Sequence, residues 1–86
     1  MPVVNVAERA KKYLKKLPEN SRKKILQHLQ QLEISGLKLN HVKQLTGNLD
    51  QYYRLRIGEY RAIFYVEKDT FYVVAILHRK DSYREK

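Results

Sequence analysis

Hydrophobic positions along this chain change their period twice. Val3, Val4 and Val6 form a short β-prone run behind Pro2, enough for an edge strand. From about Ala7 the period becomes helical: Val6, Ala10, Leu14 and Leu17 recur every three or four residues, with Arg9, Lys11, Lys12, Lys15 and Lys16 around the rest. Pro18 lacks a donor and either interrupts this helix or opens the next. A second helix is predicted from about Glu19–Ser21 to Ser35, with Ile25, Leu29 and Leu32 as its apolar stripe and Leu26 beside them. Asn20 or Ser21 is placed to cap its start, and Gly36 to stop it.

From Tyr52 the β-branched and aromatic residues crowd together, which suits strands. Two hairpins are predicted: Tyr52–Ile57, a turn at Gly58-Glu59, Tyr60–Glu67, a turn at Lys68-Asp69, then Thr70–His78. Gly at the first position of a two-residue turn accepts the positive φ of a type II′ turn. That length fixes the pairing: Ile57 faces Tyr60, Arg56 faces Arg61, Leu55 faces Ala62, Arg54 faces Ile63 and Tyr53 faces Phe64. Because side chains alternate, one face collects Tyr53, Leu55, Ile57, Tyr60, Ala62, Phe64 and Val66. The other collects Tyr52, Arg54, Arg56, Arg61, Ile63 and Tyr65. Continued into the last strand, the arithmetic adds Phe71, Val73, Ala75 and Leu77 to the apolar face. It adds Tyr72, Val74, Ile76 and His78 to the arginine face.

Residues 41–50 read as a loop, and the polar stretch 79–86 as a tail that leaves the last strand. The predicted order is β-α-α-β-β-β: an α+β domain, residues 1–86, with a two-helix hairpin on one face of a mainly antiparallel sheet. The chain's 86 residues make one small domain.

Charge sharpens the picture. Eighteen Lys and Arg stand against nine Asp and Glu, a net charge of +9. A domain this basic meets polyanions such as RNA, DNA or an acidic protein, unless the charge merely keeps it soluble. Like charges directly across a ladder destabilise it, so the pairing of Arg56 with Arg61 suggests an anion to be bound. The absence of cysteine removes disulfides and thiolate chemistry. No apolar run reaches a membrane span, and the N-terminus lacks a signal-peptide pattern, so the expected location is the cytoplasm.

These residues resemble the RelE/ParE superfamily, the toxins of type II toxin–antitoxin pairs. The resemblance covers most of the chain. It rests on a first helix ending in Leu17-Pro18, the segment Lys43-Gln44-Leu45-Thr46-Gly47, the run from Tyr53 through Arg61, and the closing His78-Arg79-Lys80-Asp81-Ser82-Tyr83. The run from Tyr53 through Arg61 is the most specific part. The resemblance implies a cognate antitoxin in a hetero-oligomer. For the RelE branch it implies cleavage of mRNA in the ribosomal A site with neither metal nor cofactor. Matched onto this sequence, the family's key residues are Arg54, Arg56, Arg61, Arg79 and Tyr83.

Metal-free RNA cleavage needs a base for the ribose 2′-OH, a cation for the pentavalent phosphate and an acid for the leaving 5′-oxygen. Arginine suits the second task, with its fork of donors. It fails the first, because a guanidinium does not give up its proton. With Arg at both 54 and 56, the chain departs from the lysine-bearing family pattern. His78, Asp81 and Tyr83 are then the titratable candidates, with His78 on the arginine face if the register holds. Each residue has a plainer reading. Arg61 could pair with Glu59 or Asp81, Arg79 could be solvated tail charge, and Arg54 and Arg56 could be antitoxin or ribosome contacts. His78 could simply end a strand, and Tyr83 could cover the core edge. Tyr52, Tyr65 and Tyr72 could stack on bases or be ordinary sheet-surface tyrosines. Two further functions compete with the ribosome-dependent nuclease: a ParE-like gyrase inhibitor without catalysis, and a small RNA-binding domain without toxicity.

Overall fold

The computed structural model describes residues 3–39, 41–45 and 51–82, for the last two of which it describes the backbone alone. The elements are β1 (Val3–Val6), α1 (Glu8–Lys15), α2 (Glu19–Ser35), β2 (Val42–Gln44), β3 (Tyr52–Ile57), β4 (Tyr60–Glu67), β5 (Thr70–His78) and α3 (Arg79–Ser82). One 3-10 turn, Gly36–Lys38, follows α2. The sheet order is β1-β5-β4-β3-β2. Only β1 runs parallel to its neighbour, β5; the other three pairs are antiparallel.

The helices form where the periodicity places them. Ala10 and Leu14 of α1 are buried, as are Ile25, Leu29 and Leu32 of α2. They pack on Leu55, Ile57, Ala62, Phe64, Phe71, Val73 and Ile76 to make one core. Gly36 closes α2 with φ 63°, its N–H donating to the Leu32 carbonyl, the left-handed stop that glycine reaches without strain. The start of α2 corrects the expected cap: neither Asn20 nor Ser21 holds that position. Pro18 is the N-cap, extended at φ −55° and ψ 152°, with no side-chain hydrogen bond. Its carbonyl takes the Arg22 N–H at 3.0 Å, so the helix begins before either polar side chain is reached.

The turn at Gly58-Glu59 has φ 60° at Gly58, and the β3–β4 register is the one expected, from Ile57 opposite Tyr60 to Tyr53 opposite Phe64. The second hairpin turn is similar, with Lys68 at φ 56°. The tail expected from residue 79 begins with the short helix α3, and two features of the sheet also differ from expectation. Residues 42–44, expected in a loop, form the short edge strand β2, pairing Val42 with Leu55, Lys43 with Arg54 and Gln44 with Tyr53. This satisfies the outer edge of β3, which would otherwise leave backbone groups unpaired.

The second difference is a bulge in the β4–β5 ladder. Phe64 pairs with Val73, but Ile63 pairs with Ala75, leaving Val74 as the extra residue. Beyond it every side chain of β5 changes face. Ile76 faces Ala62 and is 3% exposed, whereas Leu77 faces Arg61. A straight register would have set Ala75 against Ala62, two small side chains with a void above them. The bulge fills that space with an isoleucine. The expected faces of Ala75, Ile76, Leu77 and His78 are thereby reversed. At the far edge, the Glu33 carboxylate accepts the Val4 N–H at 2.9 Å and so covers part of β1.

Candidate active site

The face of the sheet opposite the helices carries three cross-strand rows. The first runs from Arg56 to Arg61 to Leu77, beside the Gly58-Glu59 turn. The second is Lys43, Arg54, Ile63 and Ala75. The third is Tyr52, Tyr65 and Tyr72. One end is therefore cationic and the other aromatic.

The turn organises the cationic end. Arg61 is only 8% exposed. Its Nη1 donates to the carbonyls of Gly58 at 3.2 Å and Tyr60 at 3.1 Å. A buried guanidinium is tolerated when its donors are satisfied, and here backbone oxygens share in that task without neutralising the charge. Arg56 stands directly opposite, exposed. Arg79 opens α3, and its backbone N–H donates to the Glu59 carbonyl at 2.6 Å. The β4–β5 ladder thus continues one step past Tyr60 and His78. It ties Arg79 to the turn that separates Arg56 from Arg61.

Arg54 is half-buried, and its Nε is fully covered with no hydrogen-bond partner among the described residues. An unmet buried donor is costly. Lys43 faces it across the β2–β3 pair and is exposed. Lys43 is thus a further candidate for the cationic face, one that the sequence alone did not single out. It is the middle residue of Val42-Lys43-Gln44 and falls on the arginine face once that segment pairs with β3.

His78 does not join the arginine face; the bulge puts it on the helix side. There it pairs with Tyr60, ring edge to ring face at 5.3 Å and 89°. Its Nε2 lies 3.2 Å from Glu59 Oε1, and its Nδ1 accepts the Lys80 N–H at 3.2 Å. Tyr83 lies outside the described residues, and the Asp81 side chain is not described.

In the aromatic row, Tyr52 meets Tyr65 edge-on at 5.9 Å, and Tyr65 stacks on Tyr72 at 5.0 Å and 21°. The tyrosines thus pack against one another. A shallow cleft of about 330 Å³ beside them is lined by Gln51, Tyr52, Tyr65, Val66 and Glu67. Among the described residues, no three His, Cys, Asp or Glu side chains gather as metal ligands.

The model of the ParE toxin family of type II toxin–antitoxin systems (parDE) matches residues 4–83. The chain belongs to that family of toxins. It is 36% identical over 76 residues to Toxin RelE3 of Methanocaldococcus jannaschii, covering 84% of each chain. Among solved structures, it resembles the toxin of the RelB-RelE antitoxin-toxin complex of Methanococcus jannaschii. There the TM-score is 0.73 and the identity 34%, over 93% of this chain and 95% of the other. The archaeal RelE-RelB complex of Pyrococcus horikoshii gives a TM-score of 0.71 at 25% identity, over 91% and 93%. The isolated RelE toxin of E. coli shares the fold, with a TM-score of 0.73 at 21% identity over 99% and 94%. The two helices on a mostly antiparallel five-stranded sheet are thus the RelE-like fold in this toxin as well.

Proposed function

We propose that this toxin is a RelE-type mRNA interferase, an endoribonuclease that cuts mRNA on the ribosome and so stops translation. The observation that carries this reading is the cluster of Arg56 and Arg61 with the tethered Arg79 around one turn, flanked by Arg54 and Lys43. Such a cluster fits a phosphodiester. The ribose 2′-oxygen attacks the adjacent phosphorus, the P–O5′ bond breaks, and a 2′,3′-cyclic phosphate and a 5′-hydroxyl result. Arg61 and Arg56 hold the extra negative charge of the pentavalent phosphate, helped by Arg79. Arg54 and Lys43 sit one row further along the strands and take the next phosphate.

Proton transfer belongs to other groups, since arginine keeps its proton. Family resemblance offers Tyr83 and the sequence offers Asp81. The mechanism calls on neither metal nor cofactor. In the cell the toxin would act in the cytoplasm and be held silent by a cognate antitoxin, a partner supported by the likeness to the RelB-RelE antitoxin-toxin complex. Among the described residues no helix is long and apolar enough to cross a membrane.

The test is the chemistry of the ends. Cleaved mRNA should carry a 2′,3′-cyclic phosphate upstream and a 5′-hydroxyl downstream, and Arg61→Ala and Arg79→Ala should both relieve toxicity while remaining folded. If both variants stay fully toxic, the site is wrong. The match to a ParE toxin family keeps a second reading open: the ParE-like one that the resemblance implies, binding and inhibition of DNA gyrase without nuclease activity. Supercoiling inhibition and gyrase–DNA cleavage complexes with intact mRNA would favour it.

A further inference from the structure

His78 is the candidate acid–base residue that the bulge carries off the arginine face, yet both of its ring nitrogens are engaged. Nδ1 accepts the Lys80 N–H, so the proton of the neutral ring sits on Nε2 and donates to Glu59. Glu59 is used twice as well. Its carboxylate meets His78, and its carbonyl takes the Arg79 N–H. Tyr60 backs the imidazole edge to face. His78 and Arg79 are thus fastened to one turn, and Lys80 is fastened to His78. The Glu59 side chain is 70% exposed, and an exposed pair adds little to global stability. What the contacts restrict is the path of the chain where β5 gives way to α3.

We propose that Glu59 and His78 form a positioning clasp that fixes the start of α3, and with it Arg79, against the turn carrying Arg56 and Arg61. The inference rests on the reading above, in which Arg61 and Arg79 act on the same phosphate. Neither Glu59 nor His78 touches the RNA. They set the separation of the cations that do, and small errors in such a separation are expensive in rate.

The experiment is single-turnover cleavage of mRNA on programmed ribosomes, with amide hydrogen exchange on the free toxin. Glu59→Ala and His78→Ala should each lower the cleavage rate by about tenfold to a hundredfold. The half-saturating ribosome concentration should not change. Glu59→Gln keeps an oxygen acceptor for Nε2–H and should restore most of the rate. In Glu59→Ala/Arg79→Ala, the first change should cost nothing beyond Arg79→Ala alone, because a clasp has no purpose once its load is gone. The Lys80 amide should exchange faster in His78→Ala. Losses that multiply in the double variant, or single variants that cleave at the parent rate, overturn the clasp. Unaltered Lys80 exchange in His78→Ala overturns it too, and does so without reference to catalysis. A parent protein that leaves ribosome-bound mRNA intact overturns the nuclease reading instead.

Discussion

Arg54→Met should make the free toxin more stable and the nuclease slower. The buried Nε of Arg54 lacks a partner among the described residues, and a buried donor without an acceptor costs about 1–3 kcal/mol. Arg54 keeps part of its surface in water, so we take the low end, about 1 kcal/mol. Lys43 lies directly across the ladder. Relief of that like-charge pair adds a few tenths, toward the lower end of the roughly 0.2–1 kcal/mol of a cross-strand pair. Methionine keeps the unbranched stem, so the packing beside Ile63 survives. The net gain is about 1–1.5 kcal/mol, or about 5–10 °C in Tm for a domain of this size. The same change removes a charge-assisted contact to phosphate worth about 1.5–3 kcal/mol, a loss of about 10- to 150-fold in cleavage. Far-UV circular dichroism melts and urea titrations with an unchanged m-value read the first quantity, and ribosome-dependent cleavage reads the second. If Arg54→Met melts at or below the parent temperature, the orphaned donor is not a cost the protein bears for function.

Other substitutions probe the rest of the site. Lys43→Ala should slow cleavage by about tenfold, the size of one charged contact, with no change in Tm; full activity would remove Lys43 from the site. Gly58→Ala puts a side chain at φ +60° with its Cβ 3.0 Å from the Lys24 ammonium nitrogen. It should cost about 1–2 kcal/mol of stability in denaturant titrations and slow cleavage as well, since the turn carries the site. Lys68→Gly relieves the same kind of strain at the other hairpin turn, where φ is 56°. After the entropy glycine adds to the unfolded chain, it should gain about 0.5 kcal/mol by thermal melt, with cleavage unaltered.

The legible parts of this chain are those where one local rule fixes many positions. A single glycine turn of two residues determined all six β3–β4 pairs and so put Arg54, Arg56 and Arg61 on one face. Helical periodicity found the buried stripes of α1 and α2. The bulge at Val74 escaped because nothing local marks it. The run Val73-Val74-Ala75 has no glycine, and any of its residues could be the extra one until Ala62 is known to face Ile76. That lone insertion moved His78 from the arginine side to the helix side. β2 escaped because three residues are too short to show a period, and Lys43 was missed along with it. Burial of Arg61 was also illegible: it depends on carbonyls in its own turn, which charge patterning along a sequence does not reveal.

If the arginines around the Gly58-Glu59 turn cut mRNA held on the ribosome, the cut itself is the most direct readout. Purified toxin should be added to ribosomes programmed with a defined mRNA, and the 5′ ends mapped by primer extension beside naked mRNA. New ends should appear within the A-site codon only when ribosomes are present, and none with Arg61→Ala. Intact mRNA at concentrations of toxin that arrest growth would contradict it and turn attention to gyrase.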